Sequence, residues 1–162
     1  MELARHPRLI RFARALVRRS PSQHRLARVA ALLTFVGGFI DSRAPGPAAV
    51  AAHGSEDDAV ERLLAALGGH RGPAVVLAAL LMALGERARV ECTREMAFVQ
   101  VEIQPADLLL MPPFARIHVR GGRYFLPLDA RRGRIPLGFL PRPVRDVLAR
   151  RRALAALGGS AA

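Results

Sequence analysis

A chain of 162 residues, about half of them apolar, is long enough to bury one core without disulfides or a metal, so it is read as a single domain over 1–162. The apolar content excludes a disordered chain, and the lone cysteine, Cys92, cannot close an internal bridge. The net charge of +12 rests on arginine alone and gathers at the two ends: residues 1–30 hold eight arginines against Glu2, and residues 131–152 hold eight against Asp146.

Within 1–19, Leu9, Phe12, Ala13, Leu16 and Val17 recur at helical spacing with Arg8, Arg11, Arg14 and Arg18 between them. This spacing predicts a basic amphipathic helix docked on the body of the protein. Ser20-Pro21-Ser22-Gln23 reads as a capped helix start, with Ser20 as N-cap and Pro21 at the first helical position. Leu26, Val29, Ala30, Leu33 and Val36 then line one face until Gly37-Gly38. The apolar run from Val29 to Ile40 is too short to span a bilayer, and no small-residue cleavage site follows it. It is read as a core helix, and the protein is expected to be cytoplasmic with no transmembrane segment.

The stretch from Asp41 to Gly54 is rich in Pro, Gly and Ala and reads as loop. Ser55-Glu56-Asp57-Asp58 caps a third helix that ends at Gly68-Gly69. Its neighbouring acids point in different directions around a helical turn, so they serve the helix dipole rather than a metal. Gly72 and Pro73 open a fourth helix that is apolar nearly all round to Leu84 and stops at Gly85. Such a helix has to be covered on most sides, which makes it the central one.

After Gly85 the period changes. Arg89 to Cys92, Ala97 to Ile103, Ala115 to Val119 and Tyr124 to Leu128 read as strands, with Arg120-Gly121-Gly122-Arg123 as a hairpin turn and Gln104 to Pro113 as a loop. Pro143 to Leu157 closes the chain as a basic helix. The predicted plan is α+β: N-terminal helices, a central buried helix on a small antiparallel meander, and a C-terminal helix. It divides into a basic helix (1–19), a core (20–141) and a C-terminal helix (142–157).

Three segments in the core carry a likeness to known proteins. Gly69-His70-Arg71-Gly72-Pro73-Ala74 leads into a Leu-rich helix ending Leu84-Gly85; Met96-Ala97-Phe98-Val99-Gln100-Val101 is a strand; and Tyr124-Phe125-Leu126-Pro127-Leu128-Asp129 is a strand end. In this order the three resemble the bacterial transglutaminase-like superfamily, which has a papain-like fold. There a cysteine starts the central helix, a histidine sits on the next strand and an aspartate follows on a later one. A helix N-terminus stabilises a thiolate, and neighbouring strands hold the base and the carboxylate that orients it.

The resemblance places His70 (or, slipped by one, Arg71) at the nucleophile position and Met96 (or, in the other register, Phe98) at the base position. Only Asp129 keeps its residue type. It therefore implies a degenerate member that lacks the catalytic Cys and His and works as a structural or protein-interaction module, with another protein as partner and no cofactor or metal.

Two alternatives stand beside it. Arg131, Arg132, Arg134, Arg150, Arg151 and Arg152 form a basic C-terminal region suited to a nucleic acid or another anionic partner. Alternatively, Cys92, with His70 or His118 as base, would run cysteine-dependent acyl transfer. Its acidic neighbour Glu91 disfavours a thiolate there.

Overall fold

The computed structural model describes residues 3–18, 20, 22, 24–41, 71–94, 96–111, 115–131 and 137. The predicted third helix (55–68), the C-terminal helix (143–157) and nearly all of the 41–54 loop lie outside the described residues. The architecture is α+β. After a 3-10 turn, Leu3–Arg5, come α1 (Pro7–Arg18), α2 (Arg25–Asp41) and α3 (Gly72–Ala83), then strands β1 (Ala88–Cys92), β2 (Ala97–Ile103), β3 (His118–Arg120) and β4 (Arg123–Leu128).

Helix α1 buries Leu9, Ala13 and Val17, a stripe at four-residue spacing, and packs on α2 and α3. Phe12 meets Phe35 of α2 edge to face at 5.7 Å. The apolar face of α1 is thus used inside the protein. Helix α2 departs from expectation at both ends. It starts at Arg25 rather than Pro21, because Ser22 Oγ accepts from the His24 backbone N–H (3.1 Å) and His24 Nδ1 accepts from that of Leu26 (3.2 Å). It also runs through Gly37-Gly38 to Asp41. The buried contacts of Leu32, Leu33 and Val36 outweigh the roughly 1 kcal/mol that each helical glycine costs.

Helix α3 is buried over almost its whole length, as its sequence requires, with Leu77, Leu80 and Leu81 fully enclosed. Each such leucine contributes about 1.5–3 kcal/mol. The helix closes in a Schellman motif: the Gly85 N–H donates to the Met82 carbonyl and the Glu86 N–H to the Leu81 carbonyl, both at 3.0 Å. This turn needs the left-handed backbone of Gly85, at φ +86. From it the chain enters β1, which packs against α3.

The sheet is fully antiparallel but is not a meander. Its order is β1-β2-β4-β3, so β4 pairs with β2 and β3 lies outside. Val99 and Val101 of β2 face Leu128 and Leu126 of β4 in register, which places the two apolar strands together at the centre. The three-residue β3, with exposed Val119 and Arg120, suits an edge. The predicted loop after β2 contains a 3-10 helix, Pro105–Leu110, held by the Asp107 carboxylate accepting from the Gln104 N–H (2.8 Å). That helix carries the chain off the end of β2 and lets it return outside β4. The hairpin turn falls at Gly121-Gly122 as expected, both with positive φ.

Ala97, Val99, Val101, Ile103, Leu126 and Leu128 form the sheet's contribution to the core shared with the helices. Phe98, Gln100 and Phe125 alternate with them and are buried on the other face.

Candidate functional site

Of the residues matched to a catalytic triad, the structure describes Met96 and Asp129 and brings them together. Met96 and Asp129 are both buried and are joined through Arg131: its guanidinium donates to Asp129 Oδ1 (3.4 Å) and contacts Met96 Sδ (3.3 Å), and its backbone N–H donates to the same carboxylate oxygen (3.0 Å). Asp129, only 1% exposed, has its second oxygen buried without a hydrogen-bond partner.

Met96 and Asp129 lie at the end of the sheet where β1 turns into β2. Phe98 points to the face turned away from the α3 core. Arg71 is exposed and makes no side-chain cap on α3. His70 lies outside the described residues.

Cys92 packs with Ala88 and Val90 against the helix-side core. His118 instead hydrogen-bonds Gln100 at 2.8 Å, and Gln100 belongs to the opposite face. The sheet therefore stands between this thiol and this imidazole. Among the described residues, no three His, Cys, Asp or Glu side chains are grouped as metal ligands. Of the arginines expected to hold an anion, Arg131 is engaged internally, and Arg132, Arg134, Arg150, Arg151 and Arg152 lie outside the described residues.

The structure assembles a different basic site. At the junction of α1, α2 and the C-terminal end of α3 lies a cleft of about 600 Å3 lined by Arg5, Arg14, Arg18 and Arg28, with Ile10, Val17 and the Met82–Gly85 turn as its floor. Among the described residues no carboxylate lines it. Arg14 and Arg18 stand one helical turn apart on the exposed face of α1, a like-charge pair that costs a few tenths of a kcal/mol in isolation. An anion seated there would relieve that repulsion and satisfy guanidinium forks bidentately.

Beneath this cleft the scaffold is pinned by Arg25. Its guanidinium donates to Glu86 (Nε to Oε2, 2.6 Å), to Asp107 (3.0 Å) and to the Glu102 backbone carbonyl. Burial would lower the Arg25 pKa, but the hydrogen bond and charge of Glu86, together with those of Asp107, outweigh it and hold the guanidinium above its ordinary value. Arg28, on the next turn of α2, reaches Glu86 at 3.7 Å and lines the cleft. Glu86 and Asp107 are thus paired with Arg25, and Glu86 also with Arg28, while no described carboxylate lines the cleft itself.

Arg14 and Arg18 belong to the basic side of the amphipathic helix expected over 1–19. Their i, i+4 spacing was visible, but the approach of Arg5 and Arg28 arises only when α1 docks across α2 and α3.

No protein-family model, no curated protein and no solved structure matches this chain. Among the described residues, no helix is long and apolar enough to cross a membrane.

Proposed function

We propose that this protein is a non-catalytic module that binds an anionic partner through the arginine cleft formed by α1, α2 and the end of α3. The observation that carries the reading is the concentration of Arg5, Arg14, Arg18 and Arg28 around one concavity with no carboxylate among its described lining. Arg28 is shared with Glu86 at 3.7 Å, and guanidinium groups that no described carboxylate engages keep their hydrogen-bonding capacity for phosphate or carboxylate.

The scaffold is, in this proposal, a transglutaminase-like domain that has lost its chemistry. Two features favour this. Helices precede a small antiparallel sheet, and the carboxylate of Asp129 meets the Arg131 guanidinium, which in turn touches the Met96 thioether, where a catalytic site would need an imidazole.

The test is calorimetric titration with tripolyphosphate at 20 and 200 mM salt, on the wild type and on Arg14→Ser/Arg18→Ser. Binding that weakens with salt, and weakens again in the double variant, is the expected result. Salt-insensitive binding, or none, overturns the proposal.

A further inference from the structure

A second cleft, of about 550 Å3, opens on the other side of the Met82–Gly85 turn. It is lined by Arg87, Arg89, Arg120 and Arg123, with Gln100, Phe125 and two carboxylates, Glu102 and the Arg25-bound Glu86. Both clefts include Met82 and Gly85 in their walls, so they adjoin rather than lie at separate places on the surface.

Among the described residues, two carboxylates pair with the four arginines of the second cleft. Glu102 faces Arg87 (3.7 Å) and Arg123 (3.5 Å), while Glu91 faces Arg89 (3.1 Å) and Arg120 (3.8 Å). Arg120 and Arg123 are 68% and 61% exposed, and pairs this long and this exposed hold their partners weakly. These guanidinium groups are free to turn from a carboxylate to an incoming phosphate.

Arg89 is held more firmly. It donates to Gln100 Oε1 (2.7 Å) and stacks over Phe125 at 5.0 Å, with its Nε buried and lacking a hydrogen-bond partner.

We infer that the anionic partner is a nucleic acid, its phosphodiester backbone laid across both clefts and over the turn between them. This rests on the anion-binding reading above and extends it from one cleft to two. A small polyphosphate would fill one cleft and leave the other unused, whereas a chain with regularly repeated charge engages both.

An acidic protein is the less suited occupant. Protein interfaces draw on an apolar centre, and the exposed large apolar side chains among the described residues, Val75, Leu109, Leu110 and Val119, line neither cleft. A nucleic-acid backbone needs no such anchor, because counterion release alone supplies its affinity. Recognition is then by charge and shape rather than by sequence, since among the described residues no exposed aromatic offers a base a stacking surface in either cleft.

The experiment measures fluorescence anisotropy of labelled 20-nucleotide single strands and 20-base-pair duplexes on the full chain, across 50–300 mM salt. Two variants are compared with the wild type: Arg14→Ser/Arg18→Ser in the first cleft and Arg120→Ser/Arg123→Ser in the second. The second variant leaves Arg89 beside Glu91 and Arg87 beside Glu102, so no buried acid is orphaned; melting curves check both folds.

Each variant should lower the slope of log K against log salt by about 2 and weaken binding at 100 mM salt by roughly tenfold or more. The form that fills both clefts is the one whose slope falls in both variants. A second-cleft variant that binds like the wild type overturns the two-cleft track and leaves the first-cleft proposal standing. Polyglutamate displacing the oligonucleotide at equal charge overturns the nucleic-acid assignment in favour of an acidic protein. A wild type that binds neither oligonucleotide at 50 mM salt, yet takes up tripolyphosphate, overturns this inference alone; failure to bind either ligand overturns both.

Discussion

Replacing Arg25 with methionine keeps the length and apolar stem of the side chain and removes its charge. Glu86 and Asp107 are then left 7% and 8% exposed, and the Glu102 carbonyl loses its donor. Breaking a buried ion pair from one side costs about 3–5 kcal/mol, because the remaining charge stays desolvated. Two features move this case to the low end: Arg25 is itself 22% exposed, and Arg28 remains 3.7 Å from Glu86.

The expected loss for Arg25→Met is about 3 kcal/mol. With an m-value of about 2 kcal/mol/M, the urea midpoint falls by about 1.5 M. Adding Glu86→Gln and Asp107→Asn to Arg25→Met should restore about half of the loss by removing the stranded charges. The measurement is urea unfolding followed by circular dichroism on the wild type, the single variant and the triple variant. A single-variant loss below about 1 kcal/mol, or a triple variant no more stable than the single, would refute the account of Arg25 as the tie between α2, α3 and the sheet.

The sign of the pH dependence follows as well. A cation whose folded pKa lies above its ordinary value stabilises fully below that ordinary value, and the contribution is lost only as pH rises through the higher folded one. For Arg25 this window lies at extreme alkaline pH, so its protonation adds no slope to stability between pH 6 and 9.

Two further substitutions test the frame around the site. Gly85→Ala has open space for the added methyl but forces φ +86 on an L-residue, so it should cost about 1–2 kcal/mol and lower the melting temperature by about 3–6 °C. A change below 1 °C would show that the left-handed turn is not needed to close α3. Arg131→Ala should cost about 1–2 kcal/mol by leaving Asp129 with only the backbone N–H of residue 131, and Asp129→Asn in that background should recover most of it. Further destabilisation on adding Asp129→Asn would contradict the pairing.

The local grammar of the chain was legible where one residue type has one physical use. Gly72-Pro73 starts α3 and Gly85 ends it, because proline suits the first turn and glycine alone takes a left-handed C-terminal residue without strain. The apolar continuity of α3 required a central position, and Gly121-Gly122 required a tight hairpin. The α+β class followed from the change of period after Gly85.

Features that depend on partners distant in sequence were not legible. Strand order turned on which apolar strand could pair with β2, and a list of strands does not encode that choice. The extension of α2 through two glycines was settled by the contacts of Leu32, Leu33 and Val36 rather than by propensity.

The same division holds for the site. Composition by itself determined that the chain is strongly basic and that its charge is guanidinium, because both are sums over residues. Which arginines face one another, which are consumed by Glu86, Asp107 or Asp129, and which remain open around a cleft was decided only by the tertiary structure. A charge acts through distance and desolvation, and both are set when α1, α2, α3 and the sheet pack together.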